Sequence, residues 1–214
     1  MRMLYRITCR FLRIVFGTFY RWRVRGVERL PERGGCVVVA NHCNFGDPLV
    51  LGSALYPRRI IRFMAKAEIF GWPILGALVK RLHAFPVRRG AFDRQAVKSA
   101  LEVVQAGHCL GLFPEGTRFH DGRLHELRGG AAMVHLATGA PVLPVGLAGT
   151  EKMKLFWWPR LAVWIGEPIA LPKTEGLPER EEIAAINEAI REGLAVCLVK
   201  ARALKAGSRS VTAG

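Results

Sequence analysis

The stretch CVVVANHCNFGDP, residues 36–48, closes an apolar run on Asn41 and His42 and reaches Asp47 five residues after the histidine. An imidazole that donates one ring N–H to a carboxylate has its tautomer fixed, and its other nitrogen is left to take a proton. Without a protein nucleophile, such a pair suits general-base activation of a substrate hydroxyl. Cys43 is adjacent, but no serine or cysteine stands in an obvious nucleophile position. Five residues on a continuous helix are about 140° apart, so His42 and Asp47 need a chain reversal in order to meet. The sequence offers one: His42 leaves a strand, the loop CNFG folds back at Gly46, and Asp47-Pro48 opens a helix as N-cap and N1. A metal would need a third ligand, and none falls at a suggestive spacing.

A second group lies in FPEGTRFHDGRLHELRGG, residues 113–130. Pro114 ends a strand, and Gly116 lets backbone approach a ligand. Glu115 presents an acceptor for substrate hydroxyls, Arg118 a forked donor suited to phosphate, and Thr117 completes the turn. Lys66 in FMAKAEIFGWP and Arg88-Arg89 in FPVRRG repeat the theme of a cation where an apolar run stops. Ligands of open α/β sheets bind at the carboxyl ends of the strands, so parallel strands would gather these groups on one rim.

The elements that must hold them alternate. Apolar, β-branched runs at 36–41, 60–66, 83–89, 108–114, 141–148 and 161–170 predict strands. Helical spacing appears over 93–106, with Asp93 as N-cap and Gly107 as stop, over 129–138, and over 180–205, where Ile183, Ile186, Ile190, Leu194 and Leu198 form one stripe. The expected fold is α/β: one domain with a mainly parallel or mixed central sheet covered by helices, preceded by an N-terminal amphipathic helix. ERLPERGG, residues 28–35, reads as the boundary, leaving an N-terminal segment over 1–30 and a catalytic domain over 31–214.

The chain has 214 residues, half of them apolar, which excludes disorder. Its formal charge of +15 implies an anionic partner: nucleic acid, a membrane surface or phosphorylated substrates. No nucleic-acid motif accompanies the charge, so a non-enzymatic basic module is the rival reading and binding to nucleic acid is not expected. Cys9, Cys36, Cys43, Cys109 and Cys197 are odd in number with no C-x-x-C pair, and read as free thiols in a reducing compartment.

Taken together, these residues resemble the glycerolipid acyltransferases, the family of the bacterial 1-acyl-glycerol-3-phosphate acyltransferases. The first family block, N-H-x4-D, matches Asn41, His42 and Asp47. The second matches FPVRRG with Arg89 in the arginine place, although Arg88 stands where an acid is often found. The third, FPEGTR at 113–118, is present in full, and the fourth matches APVLPVGLAG at 140–149; the resemblance covers about residues 27 to 170. It implies that His42, oriented by Asp47, deprotonates the free hydroxyl of lysophosphatidic acid, which attacks an acyl thioester on CoA or acyl carrier protein in a ternary complex. Lys66 or backbone N–H groups near Val87 would receive the oxyanion, Arg89 and Arg118 the phosphate, and Glu115 and Gly116 would shape the glycerol site. No bound metal or redox cofactor is implied. Glycerol-3-phosphate, a lysophospholipid or a lyso-amino-acid lipid are alternative acceptors.

Residues 2–29 hold eight arginines and one acid. Arg2, Arg6, Arg10 and Arg13 fall on one helix face, with Leu4, Ile7, Phe11, Ile14 and Val15 on the other. The longest charge-free stretch there, Ile14 to Tyr20, is far short of the ~20 residues a spanning helix needs. The pattern predicts a helix lying in the plane of an anionic membrane, peripheral or monotopic, on the cytoplasmic face of the cell membrane. The alternative is that its apolar stripe packs on the domain. KLFWWP, residues 154–159, reads as a further membrane contact or as core.

Overall fold

The computed structural model describes residues 2–87, 94–154, 157–172, 176 and 178–207. Helix α1 (Arg2–Phe19) leads into strand β1 (Arg23–Arg25), and β2 (Cys36–Ala40) into helix α2 (Asp47–Leu55). Next come β3 (Ile61–Lys66), α3 (Pro73–Arg81), β4 (Phe85–Val87), α4 (Arg94–Gln105) and β5 (Cys109–Leu112). The chain continues through α5 (Gly130–Thr138), β6 (Val142–Ala148), β7 (Ala162–Ile165) and the long α6 (Glu179–Ala206).

The seven strands form one sheet in the order β1-β7-β6-β2-β5-β3-β4. β6, β2, β5, β3 and β4 run parallel to their neighbours, β1 runs parallel to β7, and the two blocks meet at an antiparallel β6–β7 pair. The sheet is thus mixed, as the sequence allowed.

β2 explains the layering. All five of its residues are buried, and successive side chains face opposite ways. Cys36, Val38 and Ala40 join Phe16 of α1 and Leu51 and Leu55 of α2 on one side. Val37 and Val39 join Ala100 and Val104 of α4, Val134 of α5 and Ile186, Ile190 and Leu194 of α6 on the other. A sheet covered on both faces requires continuously apolar strands, which is why these runs do not alternate. α6 approaches β6 closely: a Cβ on Gly146 would lie 2.2 Å from the Cys197 carbonyl oxygen.

Two expectations shift. The sheet begins at β1, within the segment assigned to residues 1–30, because Arg23–Arg25 pairs with Ala162–Trp164. α1 also has two apolar faces. Tyr5, Cys9 and Phe16 are buried, and Arg13 Nη1 donates to the carbonyls of Ser53 and Tyr56 at 3.0 and 2.9 Å, so the helix packs on the domain. On its other side Met3, Leu4, Ile7, Phe11, Ile14 and Phe19 are exposed, while Leu12 packs half-buried against the core. Among the described residues, no helix is long and apolar enough to cross a membrane.

Candidate active site

The end of β2 is pinned before the chemistry begins. The Asn41 side chain continues the strand pairing with β6: its Nδ2 donates to the Leu147 carbonyl at 3.1 Å, and its Oδ1 accepts from Leu147 N–H at 2.8 Å. His42 follows with its backbone held on both sides. Its N–H donates to Glu115 Oε2 at 2.6 Å, and its carbonyl accepts from Phe119 N–H at 2.9 Å. The imidazole stacks on the Phe113 ring, 4.1 Å between centroids and 19° between planes.

Asp47 meets His42 as expected, with Oδ2 2.8 Å from Nδ1. The same oxygen accepts from the backbone N–H groups of Cys43 and Asn44, each at 2.7 Å. Asp47 is wholly buried, and three donors on one oxygen offset the cost of placing a carboxylate there. Its Oδ1 has no partner among the described residues. The helix start differs from the expected one: Gly46 is the N-cap of α2, and Asp47 is the first helical residue. Its carboxylate turns back over the loop instead of capping the helix, because the loop N–H groups and the imidazole occupy it. The other ring nitrogen of His42, Nε2, makes no hydrogen bond to a described residue and is the nitrogen left to take a proton.

Glu115 has a different occupation from the one expected. It is 3% exposed, and its second oxygen, Oε1, accepts from His125 N–H at 3.1 Å. Both oxygens therefore clamp backbone, joining the turn after β5 to the loop after β2. Burial pushes its carboxyl above the usual carboxylate range, against the pull of those two N–H donors. Gly116 also serves the protein itself: at φ +70°, a Cβ would lie 2.5 Å from Arg128 Nε. Only a residue without a side chain lets Arg128 lie across that turn. Sequence reasoning passed over Arg128 and the clamp, since neither has a short-range signature; Arg128 lies twelve residues beyond Gly116.

Of the remaining predicted residues, Lys66, Thr117 and Arg118 lie along the same rim. Thr117 and Arg118 are exposed, and the Arg118 guanidinium lies 5.5 Å from the centroid of Phe45, inside the His42–Asp47 loop. Lys66 ends β3, opposite Val87 at the end of β4, and pairs with Glu68 at 3.1 Å. Arg88 and Arg89 lie outside the described residues. Cys43 is buried, and that burial, helped by the charges of Asp47 and Glu115, pushes its thiol up to about 12, which disfavours the thiolate. Among the described residues, no cluster of histidine, cysteine or carboxylate side chains has the form of a metal site.

A family model described as Acyltransferase matches residues 21–148, well over half of the chain. The chain belongs to the acyltransferase family. It is 30% identical over 190 residues to the 1-acyl-sn-glycerol-3-phosphate acyltransferase of Bacillus subtilis, covering 88% of this chain and 94% of that one. A chloroplastic 1-acyl-sn-glycerol-3-phosphate acyltransferase of Brassica napus is 36% identical over 138 residues, which is 63% of this chain and 39% of the longer plant protein. The crystal structure of the 1-acyl-sn-glycerophosphate acyltransferase of Thermotoga maritima superposes with a TM-score of 0.72 at 26% identity, over 92% of this chain and 80% of that one. In this acyltransferase the matched region runs from just before β1 to the end of β6, and so contains the whole His42–Asp47–Glu115 arrangement.

Proposed function

We propose that this acyltransferase moves a fatty acyl group from a thioester, carried on CoA or acyl carrier protein, to the free hydroxyl of 1-acyl-glycerol-3-phosphate, making phosphatidic acid. The observation that carries this reading is the buried His42–Asp47 pair at 2.8 Å, whose second ring nitrogen has no partner and no activated side-chain nucleophile beside it among the described residues. Nε2 takes the proton of the acceptor hydroxyl as its oxygen bonds to the thioester carbonyl carbon. Collapse of the tetrahedral intermediate breaks the C–S bond, and the departing thiolate receives the proton from the imidazolium. Lys66 or backbone N–H groups near Val87 stabilise the oxyanion. Arg118, with Arg88 or Arg89, holds the acceptor phosphate, and Thr117 lines the same turn. Glu115 is a positioning residue that fixes the His42 backbone.

The acceptor is amphiphilic, so the rim must meet a lipid surface. The exposed stripe of Leu4, Ile7, Phe11 and Ile14 on α1, beside the exposed Arg6 and Arg10, supports a peripheral site on an anionic leaflet, at the cytoplasmic face of the cell membrane. The names of the bacterial and plant relatives support lysophosphatidic acid over other acceptors.

Transfer assays over a panel of lysolipids, with both donor types, test the reading. Arg118→Ala is expected to raise KM for the phosphorylated acceptor about tenfold or more, the scale of one lost charge-assisted contact, while KM for the acyl donor stays near wild type. Equal effects on both substrates would contradict the phosphate contact. Transfer to another lysolipid with none to lysophosphatidic acid would overturn the acceptor.

A further inference from the structure

Some of the largest exposed side chains have no part in this chemistry, yet they stand beside it. Trp157 and Trp158 are 64% and 52% exposed and Phe19 46%, and the Phe19 ring lies 4.6 Å from that of Trp158. Lys154 and Trp157 pair in an isolated antiparallel bridge, and both tryptophans are exposed. A shallow cavity of about 470 Å³ is lined by Phe19, Tyr20, Arg21, Trp157, Trp158 and Arg160. Among the described residues, no carboxylate lines it, and neither the Arg21 nor the Arg160 guanidinium has an ion pair or hydrogen bond.

Topology places this cluster on the catalytic rim. β7 and β1 begin at Ala162 and Arg23, just after Arg160 and Arg21, and β7 is antiparallel to β6. Their starts therefore lie at the edge where β2 and β6 end. The Asn44 side chain, inside the His42–Asp47 loop, donates to the Met153 carbonyl, next to the bridged Lys154, at 3.0 Å. Through Phe19 the cluster also continues the exposed apolar stripe of α1.

Adjacent exposed indoles with unpaired guanidiniums match the headgroup depth of a bilayer, where an amphipathic ring sits between chains and water and a cation meets phosphate. A second copy of the chain is a poor match, because 32 basic residues face only 17 acids to pair with. We infer that Phe19, Trp157 and Trp158, with Arg21 and Arg160, form an anchor that takes the phosphate headgroups of an anionic phospholipid leaflet and holds the catalytic rim against it. This rests on the acyl-transfer reading for its purpose, though not for its physical basis.

The test uses the full chain with vesicles of phosphatidylcholine, alone or with about 30 mol% phosphatidylglycerol. Trp157→Ala/Trp158→Ala is expected to weaken binding to both vesicle types about tenfold or more and to abolish the part of the tryptophan quenching by brominated acyl chains that these two residues give. Arg21→Asn/Arg160→Gln, with asparagine chosen because Arg21 sits at φ 44°, is expected to weaken binding to the anionic vesicles alone, by about fivefold per arginine. Both double variants keep wild-type turnover on a short-chain lysophosphatidic acid dispersed as monomers, and lose it on acceptor embedded in vesicles. Wild-type vesicle binding by both variants would overturn the anchor, as would a dimer that the tryptophan variant dissociates. If the wild type acylates no lysophosphatidic acid at all, the acceptor assignment falls, while loss of vesicle binding in the variants still upholds the anchor.

Discussion

In the proposed mechanism, His42 and Asp47 put the chemistry on few atoms. Among the described residues, Asp47 makes its three bonds through Oδ2 and leaves Oδ1 buried without a partner. An asparagine can therefore keep its oxygen toward the loop N–H groups and the imidazole, with its NH2 in the position that has no partner now. Asp47→Asn thus removes the negative charge with little change of geometry. The imidazolium formed during transfer loses its counter-charge, and kcat is expected to fall on the order of 10³-fold. A melting temperature within a few degrees of wild type should accompany the loss. A variant with wild-type kcat would show that the carboxylate's charge is idle. At this scale the sequence was legible: the histidine, its aspartate and the reversal between them were all readable. The exact helix start was not, because the loop N–H groups and the imidazole occupy the Asp47 carboxylate and the start moves by one residue.

Between elements, the decisive link is Glu115, which holds the loop after β2 from the turn after β5 across 73 residues of sequence. The expectation that it meets substrate arose from its place at a strand end and from the family resemblance, and only the packing of β2 beside β5 brings the backbone N–H of His42 opposite it. Glu115→Gln replaces one acceptor oxygen with a donor, so either the buried His42 N–H or the half-buried His125 N–H loses its partner. The cost is about 1–3 kcal/mol, read as a Tm lowered by several degrees, and kcat drops because His42 is no longer held from its backbone side. Unchanged Tm and kcat together would contradict the clamp. Other element-level features were illegible for similar reasons. β1 is three residues long with arginines at both ends, so no apolar run announces it. The reversal of β7 is a property of its pairing and leaves no mark in composition. α1 was read as one stripe because Tyr5, Cys9 and Phe16 fall between residues of the exposed one.

For the molecule as a whole, the formal charge of +15 sets long-range behaviour. If an anionic leaflet is its working surface, attraction should fall as the screening length shrinks from about 10 Å at 0.1 M salt to about 3 Å at 1 M. Affinity for vesicles containing phosphatidylglycerol is expected to drop at least about tenfold over that range, toward the level seen with neutral vesicles, where the apolar stripe and the indoles act alone. Salt-independent binding would remove electrostatics from the account. Charge alone left nucleic acid and lipid equally open in the sequence. The exposed apolar face of α1 and the exposed indoles favour lipid, and they become visible only once packing has claimed the other apolar residues.

The account stands on His42 as the base that activates the acceptor hydroxyl. The most direct measurement is single-turnover acyl transfer to monomerically dispersed lysophosphatidic acid by His42→Ala, with folding checked by Tm. The account predicts a folded protein whose transfer rate is lower by about 10³-fold or more; a folded variant within tenfold of the wild-type rate would contradict it.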